Sequence, residues 1–168
     1  FFFKQKTAYE IPKRDWSSDV CSSDLCRICL GLQNKLVLGN LNSLRDWGHA
    51  KDYAEMQWKI LQHYKADDFV ISTNYQVSVR KFAELVANKI GFSISWKGNG
   101  LKEKGYVSKI YNRINKYNKL RVGQNIIIVN KNYFRPLDVE NLMGDSSKAK
   151  KVLKWKPRYN LKIGRAHV

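Results

Sequence analysis

Leu36 to Tyr53 reads LVLGNLNSLRDWGHAKDY. Leu36 to Leu38 is a short apolar run, and Gly39-Asn40 closes it with turn chemistry, so it reads as a strand ending in a tight turn. Leu41 to Trp47 reads as a loop carrying an arginine, an aspartate and a tryptophan. His49 to Tyr64 follows as a helix. Ala50, Ala54, Trp58 and Leu61 recur at helical spacing, and Tyr53, Met56, Ile60 and Tyr64 widen the stripe. A broad apolar face of that kind packs on a core.

The flanks continue the pattern. Upstream, Cys26 to Leu32 (CRICLGL) reads as the end of a helix, with Ile28, Cys29 and Leu32 facing inward. Downstream, Asp67-Asp68 turns the chain, and Phe69 to Ser72 (FVIS) has the β-branched and aromatic content of a buried strand. Ser78 caps the next helix, because its hydroxyl satisfies a free N–H of the first turn. Val79, Phe82, Leu85, Val86 and Ile90 supply its apolar face. Gly91 ends it, since glycine takes the left-handed conformation that a C-terminal cap needs. Phe92 to Trp96 alternates like a strand. Helix and strand alternate throughout, which predicts an α/β arrangement. From Lys97 the pattern loosens around Gly98, Gly100 and Gly105. Val107 to Tyr111 and Asn125 to Val129 read as paired strands. The residue before Pro136 is extended, because a residue preceding proline avoids the helical region. Asp138 is expected to start a short helix through Leu142, and Asp145 to cap another over Ser146 to Leu153. Pro157 stops that helix from continuing.

Among 168 residues, 31 Lys and Arg stand against 14 Asp and Glu, a net charge of +17. Such a charge suits an acidic partner. Here the basic residues are scattered, and the chain is also rich in Asn, Ile and Tyr, as in YNRINKYNKL at Tyr111 to Leu120. Lys, Asn, Ile and Tyr share AT-rich codons, so a solvated basic surface is the preferred reading and no nucleic-acid partner is expected. Cys26 and Cys29 have C-x-x-C spacing but no second pair follows, so they read as small hydrophobes on one helical face of a reduced, cytoplasmic protein. No run approaches bilayer length, so no membrane partner is expected.

The two ends read differently from the rest. Lys4 to Glu10 (KQKTAYE) and Arg14 to Leu25 (RDWSSDVCSSDL) resemble translated sequencing-library adapter, and Ile163 to Val168 (IGRAHV) resembles the complementary adapter. Segments of that kind are set aside in fold reasoning. Residues 1–25 are therefore expected to be an adapter-derived, disordered arm, residues 163–168 a second artefact, and 26–162 the natural segment. On that reading Cys21 and His167 carry no chemistry. The Arg-Asp-Trp triplets at Arg14 and Arg45 are a coincidence, and the positive excess persists without the ends.

Three blocks in order carry a resemblance: LVLGNLNSLRDWGHAKDYAEMQWKILQ, then DDFVISTNYQVSVRKFAELVANKIG, then YFRPLDVENLMGDSSKAKKVLKWKP. Together they resemble the C-terminal half of the GDP-mannose 4,6-dehydratase family, over nearly all of Arg27 to Pro157. The resemblance implies the C-terminal part of an NAD(P)-binding, Rossmann-like extended short-chain dehydrogenase, mainly its substrate-binding domain, with the N-terminal Rossmann portion missing. It implies a parent lyase that uses NADP to oxidise GDP-mannose at C4, eliminates water across C5 and C6, and returns the hydride to C6. The product is GDP-4-dehydro-6-deoxy-mannose, and the parent is a homo-oligomer. The family's Gly-rich cofactor loop, Thr-Glu pair and Tyr-x-x-x-Lys lie upstream of these blocks, so the chain is expected to lack catalytic residues, bind no cofactor and be inactive. A sister nucleotide-sugar epimerase or reductase is the alternative, and a basic nucleic-acid module a more distant one.

By the same resemblance Arg45, in RDWGHA, and Arg135, in YFRP, meet the substrate's diphosphate. A guanidinium fork suits a pyrophosphate because it makes two parallel charge-assisted bonds. Asp138 stands where the family has a glutamate that binds a ribose hydroxyl, and Asn40 lines the nucleotide pocket. Each residue also has a plain structural alternative. Arg45 could pair with Asp46 or Asp52, Arg135 could be an ordinary loop arginine, and Asp138 could cap its helix. His49, at a helix start with no nucleophile or metal-ligand partner beside it, reads as structural. Trp155 and Pro157 are expected to pack the last helix.

Overall fold

The computed structural model describes residues 17–112, 116–135 and 141–159. In chain order these form α1 (Ser17–Cys29), β1 (Leu36–Leu38), β2 (Leu44–Asp46), α2 (Ala50–Leu61), β3 (Gln76–Ser78), α3 (Val79–Ile90) and β4 (Phe92–Lys97). A 3-10 turn at Gly100–Lys102 then leads to β5 (Lys104–Ile110), β6 (Asn125–Val129), β7 (Asn141–Leu142) and α4 (Ser147–Val152). The expected α/β class is what forms. The chain divides into two compact units: residues 17–43 with 78–135, and residues 44–77 with 141–159.

The first unit is a four-stranded sheet in the order β1-β6-β5-β4. β1 runs parallel to β6, with Leu36 opposite Ile127 and Leu38 opposite Val129, whereas β5 is antiparallel to both β6 and β4. Strand β6 reads NIIIV, and Ile126 and Ile127 are both fully buried. Adjacent buried positions mean that both faces of this central strand are covered, which is why it is a continuous apolar run. α3 buries Phe82, Ala83, Val86 and Ala87. Its start is fixed as expected: Lys81 N–H donates to Ser78 Oγ at 3.1 Å, and Gly91, at φ 124°, closes the other end. α1 packs against α3 and β1.

Over Ser17–Leu25, helix α1 corrects the expected disorder of the N-terminal arm; residues 1–16 and 163–168 lie outside the described residues. Ser17–Leu25 is helical, and Cys21 and Leu25 are buried with Ile28 and Cys29. Cys21 and Leu25 lie one helical turn apart on the stripe that Ile28 and Cys29 continue, so one apolar face runs across the junction. Burial pushes the Cys21 thiol up to about 12, with Asp24 adding to the effect. Leu32, expected inside, is 65% exposed because the helix has already ended at Cys29.

The second unit holds a three-stranded sheet, β3-β2-β7, with β2 parallel to β7. Its core is Met56, Phe69, Ala149 and Trp155, with Ile60, Ile71 and Leu153 packed around them. Trp155 thus packs α4 as expected. Asp145 Oδ1 accepts Ser147 N–H at 2.8 Å, but the N-cap of α4 is Ser146 and not Asp145, because the helix starts one residue later than expected, at Ser147.

Four expectations fail here. The stripe Ala50, Ala54, Trp58, Leu61 does not face the core: Trp58 is 61% and Leu61 80% exposed. The buried face is Asp52 and Met56, because Met56 packs in the Trp155 cluster and Asp52 accepts the N–H groups of Arg158 and Tyr159, both at 3.0 Å. Phe69 to Ser72 forms no strand; it is irregular chain leading into a bend at Asn74. The residues read as an uninterrupted loop, Leu41 to Trp47, contain β2 instead. Asn141–Leu142, expected at the end of a helix, is β7.

Candidate functional site

The expected site residues divide between the units. Asn40 and Arg135 belong to the unit that holds β1 and β6, and Arg45 to the sheet of β2 and β7. Asp138 lies outside the described residues.

Asn40 and Arg135 are brought together. Each follows one of the two adjacent parallel strands, Asn40 after β1 and Arg135 a few residues after β6. Asn40 Nδ2 donates to the Arg135 carbonyl at 2.8 Å, and Arg135 N–H donates to Asn40 Oδ1 at 2.9 Å. Asn40 therefore engages the Arg135 backbone with both ends of its amide, leaving one N–H and one lone pair. The arginine itself is exposed. Below them, Asn130 N–H donates to the Leu38 carbonyl at 3.0 Å, extending the strand pairing past Val129. A Cβ on Gly39 would stand 2.1 Å from the Tyr133 carbonyl oxygen, so only glycine lets these backbones approach so closely. The Asn40 loop is also tied to α3, as Arg80 N–H donates to the Leu41 carbonyl at 2.9 Å.

Arg45 sits on β2, the middle strand of its sheet, opposite Leu142. One guanidinium N–H reaches the Leu44 carbonyl at 2.8 Å. The two carboxylates named as alternative partners both accept from distant segments of the chain. Asp46 accepts from Ser72 Oγ at 2.6 Å, Thr73 N–H at 2.8 Å and Asn74 N–H at 3.0 Å, and from the Thr73 hydroxyl. Asp52 holds Arg158 and Tyr159 as described. Trp47 Nε1 donates to the Val77 carbonyl at 3.0 Å.

His49 is structural, as expected. Its Nδ1 accepts Lys51 N–H at 3.0 Å, capping α2, and its ring stacks on Tyr159 at 4.5 Å. The Tyr53 ring lies where a Cβ on Gly48 would be, 2.1 Å from that position, which explains the glycine between Trp47 and His49. Burial pushes the Tyr53 phenol up to about 12, and the Asp46 and Asp52 carboxylates add to it. A tyrosine ordinarily titrates near 10. The folded chain therefore holds Tyr53 neutral while the unfolded chain ionises first. Its contribution to stability is complete below pH ~10 and is lost as pH rises from ~10 to ~12. Spectrophotometric titration should show one late tyrosinate transition, absent from Tyr53→Phe; identical curves would refute the assignment.

Two organising residues escaped sequence reading. Asp46 is one. Arg80 is the other: its guanidinium pairs with the buried Glu103, reaches Asn42 Oδ1 at 2.9 Å and lies 4.9 Å over the Trp96 ring. Partners 23 and 38 residues away leave no local spacing to read. Among the described residues, no group of three or more His, Cys, Asp or Glu is placed to hold a metal, and no helix is long and apolar enough to cross a membrane. Two shallow depressions are lined by Lys109 to Asn112 and by Lys119, Arg121, Val122 and Gln124, and none of Asn40, Arg45 or Arg135 lines either.

Known proteins resemble this chain in sequence and in fold. A family model described as GDP-mannose 4,6 dehydratase matches residues 11–167. The GDP-mannose 4,6-dehydratase of Vibrio cholerae is 47% identical over 133 residues, 79% of this chain and 35% of that protein. The enzyme of the same name from Yersinia enterocolitica is 46% identical over 133 residues, again 79% of this chain and 35% of the relative. The chain thus spans about a third of the length of the curated relatives it matches. In fold, it superposes on the structure of RMD from Pseudomonas aeruginosa complexed with NADPH, with a TM-score of 0.59 and 18% identity, covering 92% of this chain and 41% of that one. The chain belongs to the GDP-mannose 4,6-dehydratase family.

Proposed function

We propose that this chain is the GDP-mannose-binding portion of a GDP-mannose 4,6-dehydratase, with Arg45 and Arg135 gripping the diphosphate. The observation that carries the reading is the placement of Arg135, exposed and backbone-anchored where the chain leaves two adjacent parallel strands. Open α/β sheets bind ligands beyond the carboxyl ends of their parallel strands, and an exposed guanidinium there meets an anion. The arginine of RDWGHA supplies the second grip, and Asp138 reaches a ribose hydroxyl.

The parent enzyme converts GDP-mannose to GDP-4-dehydro-6-deoxy-mannose, as a homo-oligomer in the cytoplasm. NADP, when bound by the parent, would supply the hydride chemistry. The residues described here do not fit that cofactor. A dinucleotide loop needs glycines between a strand and a helix N-terminus. Gly98 and Gly100 lie between the antiparallel strands β4 and β5, where a single 3-10 turn forms, and the lone glycines that stand between a strand and a helix, Gly48 and Gly144, are packed on the Tyr53 ring and on Val70 and Ser72. NADP and the catalytic groups belong to sequence outside this chain, and the chain alone is inactive.

Calorimetric titration of the 168-residue chain with GDP tests the reading. Arg45→Ala and Arg135→Ala should each weaken binding about tenfold or more, the usual scale for a lost charge-assisted bond. No binding by the unsubstituted chain, or binding indifferent to both substitutions, would overturn it.

A further inference from the structure

We propose that Asn40 is a positioning residue that seats Arg135: its amide holds the Arg135 backbone and so fixes where that guanidinium stands. The inference deepens the diphosphate reading above and rests on it. Asn40 and Arg135 are 95 residues apart, yet one side chain satisfies both the N–H and the C=O of the same residue, at 2.9 Å and 2.8 Å. The amide thereby takes the place of a neighbouring strand's backbone, just where β1 and β6 have stopped pairing. An amide is the side chain that fits. It offers a donor and an acceptor in one plane, whereas a carboxylate of the same length would set an oxygen against the Arg135 carbonyl.

Both ends of the clamp are themselves held. The loop after Asn40 is fastened to α3 by Arg80 N–H to the Leu41 carbonyl at 2.9 Å and Val79 N–H to the Ser43 carbonyl at 3.3 Å. The segment leading to Arg135 turns on Asn130, whose carbonyl accepts Tyr133 N–H at 3.1 Å and Phe134 N–H at 3.0 Å, and whose side chain accepts Asn132 N–H at 2.8 Å. Gly39 lets that turn lie directly on the end of β1. An exposed arginine has high rotamer entropy, and anchoring its root reduces what remains to be lost when it closes on an anion. Asn40 then acts on a ligand through Arg135 and not through contact of its own.

A double-substitution cycle separates the two roles, because residues acting through one another give non-additive losses. Calorimetry with GDP on the full chain is expected to show Asn40→Ala weakening binding about tenfold, and Asn40→Ala/Arg135→Ala binding no more weakly than Arg135→Ala alone. Additive losses would overturn the proposal, since Asn40 would then be touching the nucleotide itself. A second readout needs no ligand. The Arg135 amide should exchange with solvent slowly in the unsubstituted chain and at least about tenfold faster in Asn40→Ala; an unchanged rate would also overturn the proposal. If the unsubstituted chain binds no GDP, the diphosphate reading is what fails, and amide exchange alone decides whether Asn40 holds Arg135.

Discussion

Trp155→Ala lowers the unfolding free energy by about 3–5 kcal/mol, the usual cost of emptying a large aromatic site in a core. That is a large share of the roughly 5–15 kcal/mol that holds a typical domain together. The indole is 1% exposed and packs with Met56, Phe69 and Ala149. Its Nε1 donates to the Asp52 carbonyl at 3.2 Å, so α2 and the chain after α4 meet at this one side chain. Truncation leaves a cavity bordered by side chains of α2, the Phe69 segment and α4. Trp155→Phe keeps most of the apolar contact but leaves the Asp52 carbonyl without this donor, at about 1–3 kcal/mol. Urea unfolding of the three proteins measures both. A loss under about 1 kcal/mol for the alanine variant would mean that Trp155 is not the centre of this core.

Asp46→Ala has the second large effect, about 3 kcal/mol or more, because hydrogen bonds to a charged acceptor are each worth roughly 1.5–3 kcal/mol and their losses overlap. One carboxylate gathers Ser72, Thr73 and Asn74, and Asn74 stands at φ 59°, a conformation that needs outside support. Removing the carboxylate takes the acceptor from Thr73 N–H and leaves Ser72 Oγ, the Thr73 hydroxyl and Asn74 N–H with only their longer contacts inside the loop, to Asn74, Tyr75 and Ser72. Asp46→Asn keeps one acceptor oxygen and should recover part of the loss. Amide exchange localises the effect: Thr73 and Asn74 should exchange far faster in the alanine variant while the α3 amides remain protected. Equal acceleration everywhere would point to global unfolding and refute a local clamp. Because Arg45 is the residue before Asp46 on β2, the same variant tests how far this clamp steadies the proposed diphosphate grip.

Much of the first unit was legible without coordinates. Ser78 and Gly91 bracket α3, its apolar residues recur at helical spacing, and Phe92 to Trp96 alternates. Each of these signals is local, so neighbouring residues alone specify the element. β2 and β3 were missed for the opposite reason. They are three-residue strands reading LRD and QVS, too short and too polar to display a period. Their existence depends on partners elsewhere in the chain. Phe69 to Ser72 shows the converse: strand-like composition found no ladder, and Asp46 captured its end as a loop.

The site divides the same way. The sequence by itself determined the α/β class, the caps of α3, the central apolar strand β6, and the motifs that carry Arg45 and Arg135. Only the tertiary structure decided that Asn40 clamps the backbone of Arg135, that Asp46 gathers the loop from Ser72 to Asn74, and that α2 turns Met56 inward and Trp58 outward. The physical reason is common to all three. α2 carries more apolar residues than one face can bury, and Asn40 and Asp46 each have more possible partners than they can bond. Such competition is settled by which long-range contacts the assembled chain satisfies together, and local spacing does not encode that choice.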